Sequence, residues 1–391
     1  MRGLMMDFPL TLVSILERAG KIFGDVQIVS RQPDRSLRRS TYREMYRRAR
    51  KLARALELAG LRPGDRVATL LWNHSTNLEC YFGIPAAGGA MHTLNFRLHP
   101  EEIAYIANHA RDRFLIVDDV LLPVYEKVRK IMSFERVLCV PFGGPGVPEG
   151  MENYETFLSE TDNEFDYPQI EENQAASMCF TSGTTGRAKG VVYSHRALVL
   201  HSFGSCLSDS WAVSNNDSIL AATSMFHANG WGIPYAAAMM GAKLVFPGPH
   251  LDAESLLELI EGEKITLAAG VPTTWYGLLG ALEKNPGRWK AQPLRIMCGG
   301  SAVPESLLRG LDRFGIRLIH LWGMTETTPV ATLGVIKSTL GNLSLEEKYQ
   351  LRAKQGMPVP FIELRVMRPE GQAPWDGETF GELEVRGPWV A

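Results

Sequence analysis

The sequence is short of cysteine, of net charge and of long apolar runs, and each shortage excludes a class of protein. Its five cysteines, Cys80, Cys139, Cys179, Cys206 and Cys298, lie far apart with no CxxC pair. That argues against a zinc knuckle or a disulfide framework and for a reducing, cytoplasmic setting. Lysine and arginine total 41 against 43 aspartates and glutamates, a formal net charge of -2, so no global field draws the chain to nucleic acid or an anionic membrane. The apolar stretch at residues 10–16 is preceded by Asp7 and closed by Glu17 and Arg18, with no small-residue cleavage site, so no secretion signal is expected. The longest candidate for a membrane span, residues 231–242, is broken by Pro234 and ended by Lys243, well short of the roughly 20 residues a bilayer needs. No internal repeat or low-complexity tract occurs either.

What remains is globular: 391 residues, 45% hydrophobic and 21% charged, enough for two or three packed units. Thr41 and Glu44 form a capping-box pattern that opens a helix with Met45, Ala49, Leu52 and Leu56 at helical spacing, ending at Gly60. Its other face carries Arg43, Arg47, Arg48, Arg50, Lys51 and Arg54 and reads as a solvated face, with an anion site as the alternative. Apolar strand-like runs at 66–72, 114–117 and 136–140, then at 219–222, 244–246, 267–270, 295–298 and 318–321, alternate with helix-like segments such as 253–263 and 305–314. That alternation predicts parallel sheets flanked by helices in two α/β layers. Beyond about residue 354 the texture changes to alternating strands at 363–367 and 382–386, a small β unit, while the Gly/Pro-rich 142–150 reads as a surface loop.

The strand-like run 177–180 leads into Thr181-Ser182-Gly183-Thr184-Thr185-Gly186-Arg187-Ala188-Lys189-Gly190. Glycines let a backbone approach an oligophosphate and turn several N–H groups onto one anion, four hydroxyls add donors, and Lys189 adds a compact positive charge. A flexible Ser/Thr/Gly linker is the mundane alternative, disfavoured by the flanking strands and the embedded lysine. The spacing matches neither GxxxxGK[ST] nor GxGxxG. The decapeptide instead resembles the signature of the adenylate-forming superfamily of acyl-CoA synthetases, luciferases and peptide-synthetase adenylation domains. Ala188 departs from the proline usual there, which loosens the loop without removing a ligand group.

A second resemblance stands at His320-Leu321-Trp322-Gly323-Met324-Thr325-Glu326-Thr327, behind an apolar strand and so at the strand end where α/β sheets bind ligands. Glu326 is a hard oxygen ligand suited to Mg2+ on the ATP phosphates, Thr325 can donate to the α-phosphate, and Trp322 offers an aromatic face to adenine. Singly, a Thr-Glu pair is a helix cap and a Trp is core; the octet in this order behind the phosphate loop reverses that. By resemblance Thr184 joins Glu326 on the metal. Gly299 and the adenine-facing Gly300, Ser301 and Ala302 match in order, as do 354–360 and 381–388.

Between these, Phe226, His227, Ala228, Asn229, Gly230 and Trp231 resemble the acyl-pocket segment of the fatty-acid branch, with Trp231 like the aromatic gate of long-chain ligases, and 95–102 also resembles that branch. His227 cannot supply the fixed negative charge that an amino-acid substrate's ammonium requires. It is either a group near the substrate carboxylate or a structural histidine. The resemblance therefore implies a large N-terminal domain with two helix-flanked, mostly parallel sheets, over about 1–190 and 191–340, and a small distorted β-barrel over 341–391. It also implies an acid-thiol ligase using ATP, Mg2+ and CoA on a medium- or long-chain fatty acid, with Lys189, His227, Thr325 and Glu326 as catalytic groups and a possible homodimer. Alternatives are a ligase for short thioether or aryl acids and a non-catalytic acyl- or nucleotide-binding module. Family members run on to a ribose-binding aspartate, a hinge and a small lysine-bearing domain. From a chain ending at Ala391 the expectation is that this domain is absent, as in a fragment, with slow adenylation and impaired thioester formation.

Overall fold

The computed structural model describes residues 3–161, 164–181, 186–290 and 293–391. Two large sheets form its body. One has seven strands, in the order Glu152–Asn153, Arg136–Val140, Asp112–Asp118, Arg66–Leu70, Ala90–Thr93, Ala175–Phe180 and Gly190–Ser194. All neighbours are parallel except the last pair, a hairpin. The other has nine, running from Met357–Pro358 through Val330–Leu333, Ile316–Gly323, Leu294–Cys298, Leu267–Gly270, Ser218–Ala221 and Lys243–Phe246 to Gln27–Arg31 and Leu37–Thr41. Strands such as Leu267–Gly270 and Ala90–Thr93 are buried at every residue, as central parallel strands covered on both faces must be.

Sheet membership does not follow the expected division near residue 190. The segments Gln27–Arg31 and Leu37–Thr41, not read as strands from the sequence, close one edge of the nine-stranded sheet, and Met357–Pro358 closes the other. The helix Tyr42–Leu58 matches its expectation closely: Thr41 Oγ1 accepts from the Glu44 N–H, and Met45, Ala49, Leu52 and Leu56 are buried. Its basic face is only partly solvated. Arg48 is held by Glu79 and Glu155, and Arg50 donates to the Phe165 carbonyl and pairs with Glu17, because the helix is covered on that side too. The helix Ser75–Ala86 is buried at all twelve residues, and Gly83 lets it press on Tyr42–Leu58, since a β-carbon there would sit 2.7 Å from the Ala49 carbonyl.

The small β unit is a three-stranded antiparallel sheet of Gly371–Gln372, Glu363–Arg368 and Glu382–Arg386. It is open; no closed barrel forms among the described residues, because each outer strand pairs on one side only. Residues 231–242 are occupied mainly by a buried eight-residue helix, Ile233–Met240, and no helix among the described residues is long and apolar enough to cross a membrane.

Candidate active site

A cavity of about 460 Å3 opens where several strands of the two sheets end. Thr181 follows Ala175–Phe180, Val271 follows Leu267–Gly270, Gly300 follows Leu294–Cys298, and Met324 to Glu326 follow Ile316–Gly323; all line it. Parallel strands point their carboxyl ends the same way, so loops distant in sequence converge there.

The segment expected to cradle phosphate links two antiparallel strands, Ala175–Phe180 and Gly190–Ser194. At its base the Thr181 N–H donates to the Lys189 carbonyl at 2.9 Å, and the Lys189 N–H donates to Thr181 Oγ1 at 3.2 Å. Thr181, Arg187 and Lys189 face the cavity, and Lys189 makes no ion pair among the described residues. Gly186 stands exposed beside them. Ser182, Gly183, Thr184 and Thr185 lie outside the described residues, so the expected metal ligand Thr184 has no described position. Ala188 is buried in the cluster that also holds Phe226.

Across the cavity, Thr325–Thr327 form a single 3-10 turn that carries Thr325 and Glu326 onto the wall. Tyr193, from the phosphate-loop hairpin, donates its hydroxyl to the Thr325 carbonyl at 2.7 Å, and the Ala391 N–H donates to the Glu326 carbonyl at 2.8 Å. Burial pushes the Tyr193 phenol well above its ordinary pKa, so it remains a donor. Among the described residues Glu326 is the one carboxylate on the wall, and no group of three His, Cys, Asp or Glu able to hold a metal occurs. A single hard carboxylate of this kind fits a divalent cation that takes its remaining oxygens from nucleotide phosphates and water.

The third wall is the turn after Ser218–Ala221. His227, Ala228 and Trp231 line the cavity. His227 is exposed toward it, yet the surrounding protein withholds enough water to lower its pKa. Trp231 is buried, and its indole crosses to Gly300, where a β-carbon would lie 3.3 Å from Val271 Cγ1 and 3.8 Å from Trp231 Cζ2. Gly300 itself lies at φ 83°, a backbone conformation that favours glycine.

Other expected site residues lie apart from the cavity. His320 is 2% exposed and directs Nδ1 to the Ala353 carbonyl at 3.0 Å, on the far side of Leu321, which does line the wall with Gly323. Trp322 is half-buried against the core and Ser301 and Ala302 are exposed beyond Gly300. Phe226 packs edge-on to Phe96 with ring centroids 4.8 Å apart. Asn229 and Gly230 are buried behind the wall. Arg187, Ala228, Val271, Met324 and Pro329 complete the lining. Of these, Val271 and Pro329 carry no signal in the sequence beyond being small apolar residues next to a strand end or turn.

The family model described as AMP-binding enzyme matches residues 16–391. A long-chain-fatty-acid--CoA ligase of Thermus thermophilus is 46% identical over 387 residues, covering 99% of this chain and 70% of that protein. A medium-chain-fatty-acid--CoA ligase of Ectopseudomonas oleovorans is 42% identical over 397 residues, covering 100% and 72%. Among solved structures, an anthranilate CoA ligase in complex with anthranoyl-AMP superposes with a TM-score of 0.84 at 23% identity, over 100% of this chain and 72% of that one. At that identity the likeness concerns the fold.

Proposed function

Since the chain belongs to the AMP-binding enzyme family, we propose that it activates a medium- or long-chain fatty acid with ATP and passes the acyl group to the thiol of CoA. The observation that carries this reading is one cavity with three kinds of wall: the base of the phosphate loop at Thr181 and Lys189, the Thr325–Glu326 turn, and the apolar side of Ala228, Trp231 and Val271.

A carboxylate is a poor electrophile because its carbonyl shares a full negative charge. It must become a mixed anhydride before a thiol can attack. In the proposed first step a carboxylate oxygen bonds to the α-phosphorus, and the bond from that phosphorus to the bridging oxygen breaks, so pyrophosphate leaves with the electron pair. Lys189 offsets charge on the departing pyrophosphate, and the Thr325 hydroxyl donates to the α-phosphate, each from backbone that is itself hydrogen-bonded, Lys189 to Thr181 and Thr325 to Tyr193. Glu326 would hold Mg2+, which supplies Lewis-acid neutralisation of the phosphate oxygens. His227 orients the substrate carboxylate by a hydrogen bond; its lowered pKa keeps it a neutral imidazole near pH 7. In the second step the thiol gives up its proton to solvent, its sulfur bonds to the acyl carbon, and the bond from that carbon to the phosphate oxygen breaks, so AMP leaves with the electron pair. No protein nucleophile is needed; bringing two anions together is the main task.

A second reading, a short thioether or aryl acid as substrate, is favoured by the buried Trp231 indole, which lines the apolar side of the cavity near Gly300. Acid-dependent ATP–pyrophosphate exchange over a panel from methylthiopropionate and benzoate to palmitate distinguishes the two. Strongest stimulation by C8 to C16 acids supports the first reading, strongest stimulation by the short acids supports the second, and no stimulation by any acid removes both.

A further inference from the structure

We infer that Asn229 is a positioning residue that sets the acid-facing wall of the cavity through a buried polar cluster on the strand that feeds the phosphate loop. The inference rests on reading that cavity as an acid-activating site.

Residues 228 to 232 turn in the left-handed region without interruption: Ala228 at φ 32°, Asn229 at 36°, Gly230 at 59°, Trp231 at 59° and Gly232 at 72°. Three of the five carry β-carbons, for which this conformation is disfavoured, and a tryptophan there is rare. The turn's own hydrogen bonding, such as the Gly230 N–H to the His227 carbonyl at 2.9 Å, does not offset three such residues within four positions.

The first sheet supplies the rest. The Asn229 side chain is 1% exposed; its Oδ1 accepts from Ser177 Oγ at 2.6 Å and its Nδ2 donates to Thr93 Oγ1 at 3.2 Å. The Asn229 N–H donates to Cys179 Sγ at 3.2 Å, and Thr93 Oγ1 also donates to the Phe226 carbonyl at 3.2 Å. Asparagine suits the position twice. It tolerates the left-handed region better than other residues with a β-carbon, and its amide offers one donor and one acceptor to two hydroxyls that point at it. Asn229 does not line the cavity, but the adjacent Ala228 and, two residues on, Trp231 do.

Ser177 and Cys179 sit on Ala175–Phe180, two residues apart and so on the same face, and the strand continues to Thr181 at the base of the phosphate loop. One strand thus anchors both the phosphate side and the acid side, and Asn229 is the link to the acid side. Loss of the link should disturb acid binding while the loop hairpin, closed by its own bonds between Thr181 and Lys189, keeps its grip on ATP.

The test compares Asn229→Ala, Asn229→Gly and Ser177→Ala with the wild-type chain in dodecanoate-dependent pyrophosphate exchange. Two lost side-chain hydrogen bonds predict an acid KM raised about tenfold in Asn229→Ala, with the ATP KM changed by less than about twofold. Asn229→Gly, which keeps the backbone freedom and loses only the bonds, and Ser177→Ala, which loses one, should each rise less. Acrylamide quenching of Trp231, taken as the difference between each protein and its Trp231→Phe partner, should increase in Asn229→Ala as the turn loosens. Equal rises in both KM values, or an acid KM and a quenching constant matching wild type, overturn the inference. A wild-type chain that no acid stimulates overturns the reading of the site instead; the quenching comparison then decides the inference without it.

Discussion

Tyr193→Phe isolates a contact that joins two stretches of the site more than a hundred residues apart. The ring stays, so the core keeps its volume, and only the hydroxyl that donates to the Thr325 carbonyl at 2.7 Å is lost. A buried carbonyl left without a partner costs about 1–3 kcal/mol. Here the Thr328 N–H already approaches the same oxygen at 3.4 Å and can move closer, so the lower end applies, about 1 kcal/mol. That energy acts on the turn carrying Thr325 and Glu326, so it should reach both stability and nucleotide handling. Urea unfolding should show a loss of about 1 kcal/mol, and the kcat/KM for ATP in acid-dependent exchange should fall up to about fivefold, the same energy expressed as a rate. The acid KM should change less, since the Asn229 side-chain bonds to Ser177 and Thr93 do not involve Tyr193. A variant that loses stability but keeps wild-type ATP kinetics would refute the idea that this hydroxyl aligns the turn, and one unchanged in both would refute the bond.

Glu326→Gln removes a charge that makes no ion pair among the described residues, so melting temperature should hold while exchange falls about 100-fold and the Mg2+ requirement shifts to higher concentration; unchanged Mg2+ dependence would count against the metal role. Gly232→Ala puts a β-carbon at φ 72° and 2.6 Å from His201 Nδ1, so chemical denaturation should reveal a loss of about 2–4 kcal/mol, and a loss below about 0.5 kcal/mol would show that the turn relaxes freely. His195 and His201 are buried, accept N–H bonds from Leu12 and Val330, and have pKa values lowered to about 4 by desolvation. Because the unfolded chain then binds more protons than the folded one, stability is full above about pH 6.5 and falls as pH drops toward 4, by up to about 3 kcal/mol per histidine. His201→Gln should flatten that slope in urea titrations at stepped pH; an undiminished slope would assign it elsewhere.

Local chemistry was readable in advance wherever one segment carried it. The cap at Thr41, the period of Met45, Ala49, Leu52 and Leu56, and the strand boundaries 136–140, 267–270 and 382–386 follow from spacing and turn residues within a few positions. The same holds for Thr181, Lys189, Thr325 and Glu326, which two compact stretches single out and which line one cavity. The strand Gln27–Arg31 is not legible in its own residues because it joins the sheet through Lys243–Phe246, some two hundred residues away, and the edge strand Leu37–Thr41 in turn pairs with Gln27–Arg31 alone.

Side-chain direction was the other blind spot. Asn229 and Trp231 are two residues apart in an apolar stretch and read alike as pocket wall, but the left-handed turn sends one into the first sheet and the other across to Gly300. His320, adjacent to Leu321 on the same strand, faces away from the cavity because successive residues of a strand alternate sides. Spacing along the chain therefore settled which residue types are available to phosphate and carboxylate chemistry. Which of them meet, and which stand behind others as supports, depended on long-range strand pairing and on backbone torsions that tertiary contacts alone hold in place.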